Sequence, residues 1–231
     1  MESATSFDPG QSRLRFRLRM SDVLEHLLMP GLLHALEREA PGVTLDIVHL
    51  SPTQTVTALE NDEIDLAVSM ELDHSNEIRA NDLLQDRMVC VMSEHHPFAD
   101  QTLTLERFLK QSHLKVSMSP TDGRYVDAAL SRMGKSRKVS VNVPHWLVVP
   151  HLLRYSSMVS VMSEHMAKRA GEGLKVHELP FDSAHFNWSL YWHRRNDGTP
   201  AQRWLRSKLF EAASCVRGDV AGPSNGDDHD L

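Results

Sequence analysis

Ser21 and Asp22 are the two residues whose types and placement offer the clearest chemistry. They follow the run Arg13-Leu-Arg-Phe-Arg-Leu-Arg-Met20 and precede Val23-Leu-Glu-His-Leu-Leu28. The first run alternates apolar and basic residues strictly, the period-2 pattern of a strand. Ser21 is a favourable N-cap for a following helix, and Asp22 falls in its first turn. A strand that feeds a helix N-terminus presents backbone N–H groups at the carboxyl edge of a sheet. Such a joint holds a small molecule by hydrogen bonds and makes or breaks no covalent bond.

Chemistry of a stronger kind is not expected. The chain lacks G-x-S-x-G, a P-loop, G-x-G-x-x-G and H-E-x-x-H. Its fourteen histidines are scattered, apart from His95-His96, which Pro97 follows. Zinc needs ligands at short spacing, so no metal and no cofactor is expected, and His95-His96-Pro97 reads as a loop after a strand. Cys90, within Met88-Val-Cys-Val-Met92, reads as a buried thiol rather than a nucleophile. Eleven methionines point to adaptable packing.

The elements around the joint must come from an ordinary globular chain. It has 231 residues, 41% apolar and 24% charged, enough for one large domain or two lobes. No run approaches the roughly 18 apolar residues of a membrane span. The N-terminus has neither a basic nor an apolar export region, so a cytoplasmic protein is expected. Two cysteines, Cys90 and Cys215, fit a reducing compartment. The net charge of −6 argues against nucleic-acid contact by this chain itself. Its one basic cluster, Arg13, Arg15, Arg17 and Arg19, reads as a solvated or salt-bridged strand face.

Strand and helix patterns alternate twice. A helix from Asp22 to Glu39, interrupted at Met29-Pro30-Gly31, leads to a strand over Val43–Leu50, a helix to Leu59 and a buried strand over Glu63–Ser69. Extended runs Ile78–Leu84 and Arg87–Met92 flank a crossover at Gln85-Asp86. A second set follows: helix Leu105–Lys110, strand His113–Ser119, loop Pro120–Gly123, helix Tyr125–Met133, strand Lys138–Val143, and a helix opened by Pro144 and His145. Strands Met158–Met162, Leu174–Leu179 and Phe186–Trp192 precede a last helix from Pro200 to about Ala213. The expectation is an α/β protein of two lobes with right-handed crossovers and a ligand cleft between them. Residues 13–85 and 196–215 form the first lobe, 86–195 the second, and 216–231 a disordered tail.

In this order and spacing the chain resembles the effector-binding domain of LysR-type transcriptional regulators, in the branch of nodulation and aromatic-degradation activators. Phe16-Arg-Leu-Arg-Met-Ser-Asp22 resembles that branch's first strand, and Met29-Pro30 with Leu32-Leu33 its first helix. Glu63-Ile-Asp-Leu-Ala-Val68 is similar to the family's G-x-hydrophobic-D-hydrophobic-A pattern. Met88-Val-Cys-Val-Met92 with His96-Pro97-Phe98-Ala99 is similar to its strand and H-P-[LF]-A turn. Val143-Pro-His145, Leu190-Tyr-Trp-His193 and Trp204-Leu-Arg206 complete the likeness. It spans roughly residues 7 to 213.

The resemblance implies a type 2 periplasmic-binding-protein-like fold of two Rossmann-like lobes, a small effector in the cleft and no catalysis. It implies that residues 1–12 are a linker remnant, that DNA is met only through an N-terminal helix-turn-helix absent from this sequence, and that regulatory domains pair as a homodimer or tetramer. Leu28, Leu32 and Leu36 could supply an apolar stripe for that pairing, unless they face their own sheet. A solute-binding protein or an enzyme of the same fold are the rival readings.

Effector contacts are expected on loops at the carboxyl ends of strands. These are Ser21 and Asp22; Ser51, Pro52 and Thr53; Pro120, Thr121 and Asp122; His145 and Trp146; and His193. Plain capping, a turn, helix-entry packing, core packing and a structural hydrogen bond are the respective alternatives. Sensors of aromatic acids in this branch tend to carry His where this sequence has Asp86 and Asp122. A carboxylate repels an anion, so the resemblance implies a phenol, a neutral aromatic or an amine ahead of a salicylate-like acid.

Overall fold

A computed structural model of the chain describes residues 7–117, 125–183 and 185–218. These divide into two units. One holds the residues up to Leu84 and from Asn187 onward, the other Gln85–Phe186.

The first unit opens with a 3-10 turn at Pro9–Gln11, N-capped by Asp8. Strand β1 (Arg15–Arg19), helix α1 (Asp22–Glu39), β2 (Thr44–Val48), α2 (Pro52–Glu60), β3 (Leu66–Ser69) and β4 (Ile78–Asp86) follow. The second unit contains β5 (Met88–Ser93), α3 (Leu105–Lys110), β6 (Ser112–Val116), α4 (Val126–Arg132), β7 (Lys138–Val143), α5 (Val149–Arg154), β8 (Val159–Ser163), α6 (Glu164–Arg169) and β9 (Leu174–His177). The chain then returns to the first unit for β10 (Phe186–His193) and α7 (Pro200–Arg217).

Each unit is built on a five-stranded mixed sheet, ordered β2-β1-β3-β10-β4 and β7-β6-β8-β5-β9. β1 pairs parallel with β2 and β3, and β6 parallel with β7 and β8. β10 runs antiparallel to β3, and β5 antiparallel to β8 and β9. Parallel pairs need crossover connections, which α1, α2, α4 and α5 provide. The central strands β3 and β8 are buried along their whole length, as expected for strands covered on both faces.

Several details differ from the pattern read in the sequence. The helix α1 runs unbroken through Pro30, which lies on its exposed side. There the missing N–H removes one bond without a buried penalty. Beside it, Gly31 lies so close to Ala212 of α7 that an added Cβ would come within 3.2 Å. Leu28, Leu32 and Leu36 are buried within their own unit, which leaves Leu33, 48% exposed, as the outward leucine of that stretch.

β10 belongs to the first sheet, through Ser189, Leu190 and Tyr191 opposite Ser69, Val68 and Ala67. The second crossing therefore lies near Phe186 rather than at 195. This pairing joins residues about 120 positions apart, and a local pattern cannot report it. The helix expected from Pro144 opens instead at Val149, where the inward-facing set Val149, Pro150 and Leu153 begins. α7 continues past Ala213 to Arg217 because Val216 is still buried, and Gly218 ends it at φ 78°. Residues 216 and 217 are thus helical rather than tail.

Candidate functional site

Parallel pairing places the carboxyl ends of β1, β2 and β3 along one edge of the first sheet. At this edge β1 passes through Arg19 and Met20 into Ser21. Arg19 is 7% exposed, unlike the solvated face expected of the arginine run. Its guanidinium donates to the Leu50 carbonyl from Nε (3.1 Å) and from an Nη (2.8 Å), and to the Val68 carbonyl at 2.9 Å. Burial lowers its pKa from the ordinary arginine value, and among the described residues it bonds main-chain carbonyls. Arg15, by contrast, pairs with Asp46 on the exposed strand face.

Ser21 occupies the N-cap position of α1, and its carbonyl accepts the Glu25 N–H at 2.9 Å. Its side chain makes no capping bond. The hydroxyl oxygen is buried and has no hydrogen-bond partner among the described residues. Buried polar atoms are almost always paired, and this one stands at the positive end of an 18-residue helix.

Ser51 behaves differently. It is exposed, and it completes a capping box with Gln54: its hydroxyl accepts the Gln54 N–H at 3.3 Å, and Gln54 Oε1 accepts the Ser51 N–H at 3.1 Å. Pro52 starts α2, and Thr53 is exposed beside it. His193 ends β10, and its Nδ1 accepts the Arg195 N–H at 3.1 Å, capping a 3-10 turn. That is the structural hydrogen bond weighed against a ligand role.

In the second unit the corresponding edge holds the ends of β6, β7 and β8, with the start of β5 antiparallel beside Ser163. The Asp86 side chain is wholly buried. It accepts from the Ser163 hydroxyl and from the Arg87 N–H at 2.8 Å, and lies 3.1 Å from His165 Nδ1. Its charge thus meets protein donors. Arg87 grips Glu164 with two bonds of 2.9 and 2.8 Å and also pairs with Glu178. Those bonds from Arg87 hold the Glu164 carboxyl down to about 2.

Asn142, the penultimate residue of β7, donates from Nδ2 to the Ser117 carbonyl at 3.0 Å, and its Oδ1 is buried without a partner among the described residues. His145 is exposed and Trp146 half-buried, both in the irregular stretch before α5. Pro120, Thr121 and Asp122 lie outside the described residues.

The remaining candidates for chemistry are structural. Cys90 is fully buried, and burial pushes its thiol up to about 12. His96 uses both ring nitrogens to build its turn: Nδ1 accepts the Phe98 N–H at 3.1 Å, and Nε2 faces the Ser157 carbonyl at 3.2 Å. Among the described residues no group of three His, Cys, Asp or Glu side chains could hold a metal.

Three residues at these edges were not picked out from the sequence: Arg19, Asn142 and His165. Nothing in the arginine alternation separates Arg19 from Arg15 or Arg17. Asn142 reads as one more polar position in an alternating strand. His165 reads as an exposed turn of a short helix.

Comparison with known proteins gives a consistent set of relatives. A family model described as the LysR substrate binding domain matches residues 9–214. The HTH-type transcriptional activator NahR of Pseudomonas putida is 31% identical over 208 residues, covering 89% of this chain and 69% of NahR. A crystal structure of a probable transcriptional regulator from Pseudomonas aeruginosa superposes with a TM-score of 0.79 at 31% identity, covering 88% of this chain and 68% of that one. The regulatory domain of MexT, a transcriptional activator in Pseudomonas aeruginosa, superposes at 0.76 with 28% identity, covering 87% and 98%.

Proposed function

Because the chain belongs to the LysR substrate binding domain family, we propose that it is the sensing part of a transcriptional regulator and binds a small aromatic effector without altering it. The supporting observation is the Ser21 hydroxyl, buried and without a partner among the described residues at the N-terminus of α1. Backbone N–H groups of a first helical turn, a free hydroxyl and the positive end of the helix dipole together suit an acceptor oxygen on the ligand. The buried guanidinium of Arg19, two residues away, adds positive potential at the same joint.

The charge of Asp86 is met by Ser163, Arg87 and His165. It is therefore a weak argument against an anionic effector. An aromatic ring carrying a carboxylate, phenolate or phenol oxygen is the proposed class. In the full-length regulator DNA is met through a separate helix-turn-helix, in the cytoplasm, and copies of the sensing domain pair. Leu33 is the α1 residue offered for that pairing.

Thermal-shift screening of the chain against benzoates and phenols, followed by calorimetry, tests the reading. A ligand that binds only the folded state raises the melting temperature. Ser21→Ala removes no capping bond, so it leaves the melting temperature of the free chain near that of wild type. It weakens effector binding about tenfold, the scale of one hydrogen bond. A panel that leaves the melting temperature unmoved defeats the proposal, and so does a Ser21→Ala variant that binds as wild type does.

A further inference from the structure

We propose that the turn at His96 and the short helix α3 form a proton-released flap of the second unit, freed in mild acid while the first unit stays folded. Among the described residues only two histidines are buried, His96 and His113, and both belong to the second unit. They stand on either side of α3, one in the turn before it and one in β6 just after it.

Each ring holds this segment in a way that only a neutral imidazole allows. His96 Nδ1 accepts the Phe98 N–H at 3.1 Å and so carries no proton, while Nε2 donates to the Ser157 carbonyl at 3.2 Å. A proton added at Nδ1 sets one N–H against another and breaks the turn from within. His113 Nε2 donates to the Phe108 carbonyl in the last turn of α3 at 2.9 Å, and the two rings meet edge-on with centroids 4.6 Å apart. Its Nδ1 is buried with no partner among the described residues, so a second N–H there meets no acceptor.

The surrounding charges do not offset this. Arg137 and Asp127 act on His113 with opposite sign, and Asp127 is already bound by Arg137 and Lys115. His96 faces Gln111 and His177, and a charge on His177 adds repulsion. Arg107 stacks over Phe98 at 5.5 Å, and Glu94 pairs with the exposed His95. Burial outweighs these influences on both rings, lowering His96 and holding His113 down to about 4. Opening α3 uncovers both, so protonation draws the segment open. In the first unit His26, His34, His49 and His74 are exposed, and His193 is half-buried. Asp65 there favours the neutral acid, which opposes any loosening as pH falls.

Hydrogen exchange read by mass spectrometry on the whole chain, at pH 7 and pH 5 and corrected for intrinsic rates, resolves the two units. Protection across residues 95–112 is expected to fall about twentyfold through His113 alone. Peptides from β1, α1 and α7 are expected to stay within about threefold. The double variant His96→Asn, His113→Gln keeps an acceptor for the Phe98 N–H and a donor for the Phe108 carbonyl and cannot titrate. Its protection across 95–112 is expected to change by no more than about threefold over the same interval. His113→Gln alone, used should the double variant fold poorly, is expected to shrink the wild-type fall at least about fivefold. A wild-type fall no larger in 95–112 than in the first unit, or one that persists undiminished in these variants, overturns the proposal.

Discussion

The guanidinium of Arg19 donates twice to the carbonyl of Leu50, from Nε at 3.1 Å and from an Nη at 2.8 Å. A third bond, to the Val68 carbonyl, ties the end of β1 to β3 as well. One buried side chain thus stitches together the three strand ends that precede Ser21, Ser51 and Met70. Lysine carries a single ammonium and cannot reproduce a planar fork. Arg19→Lys is expected to destabilise the chain by about 2 kcal/mol, and Arg19→Met by about 3, as carbonyls lose their donors. Urea unfolding measures this, and a midpoint within error of wild type for both variants contradicts it.

His113 makes folding sensitive to mild acid. The ring is fully buried, and its Nε2 faces the Phe108 carbonyl at 2.9 Å while its Nδ1 has no partner among the described residues. Burial drives its pKa down to about 4. The folded state therefore disfavours the protonated form. Stability is fully present above the unfolded value near 6.5 and is lost as pH falls from there toward 4. The loss is on the order of 2–3 kcal/mol by that relation. His113→Gln keeps a donor for Phe108 and cannot titrate, so its stability profile should be flat across that window apart from what other groups contribute. Identical slopes for the two proteins between pH 6.5 and 4 contradict the assignment.

Asp65 has the opposite sign. Its carboxylate accepts the Arg17 N–H at 2.8 Å and a hydrogen bond from Gln202 Nε2 at 2.9 Å, while Gln202 Oε1 is buried without a partner among the described residues. Burial raises the Asp65 pKa above the usual carboxylate value. The fold thus favours the neutral acid, and that preference is lost as pH rises through the folded pKa, so the charged group is a burden at neutral pH. Asp65→Asn can keep the bond from Arg17 and offer an NH2 to Gln202 Oε1 once the glutamine amide turns over. It should raise stability at pH 7 by about 0.5–1 kcal/mol, or about 1–4 °C in melting temperature. A lower melting temperature in the asparagine variant defeats this account.

Much of this architecture was legible in local pattern. The alternation at Arg13–Met20 and the cap positions at Ser21 and Ser51 are properties of neighbouring residues, and the elements they announce are present. The return of β10 to the first sheet was not legible, because it depends on Leu190 meeting Val68 across the chain. The division of labour among the arginines was hidden for the same reason. Arg15 and Arg19 each lie between two apolar neighbours in sequence, yet one pairs with Asp46 on the exposed face and the other is enclosed by the ends of β2 and β3. Which hydroxyl caps a helix and which is left unpaired is likewise decided in three dimensions. Ser51 and Ser21 look alike in sequence and act differently.

Asp86 offers a test of whether a buried carboxylate serves the fold or the ligand. It accepts from the Ser163 hydroxyl and the Arg87 N–H, with His165 Nδ1 3.1 Å away and its own side chain wholly buried. Ser163 in turn caps α6 by accepting the Met166 N–H at 3.3 Å. Asp86→Ala removes the acceptor from the Ser163 hydroxyl and the Arg87 N–H at once and is expected to cost about 3 kcal/mol, while Ser163→Ala removes the hydroxyl and costs about 1–2. The two side chains share one network, so their effects should fall short of adding. A double-mutant cycle is expected to give a coupling of about 1 kcal/mol or more, which is the mark of a direct contact. Asp86→Asn keeps the shape but loses the charge, so it separates the two roles. A structural carboxylate loses stability in that variant while effector affinity stays within about twofold at a temperature where the fold is intact. A carboxylate that faces the ligand shows the reverse, with stability retained and affinity for an anionic aromatic rising as the repulsion is removed.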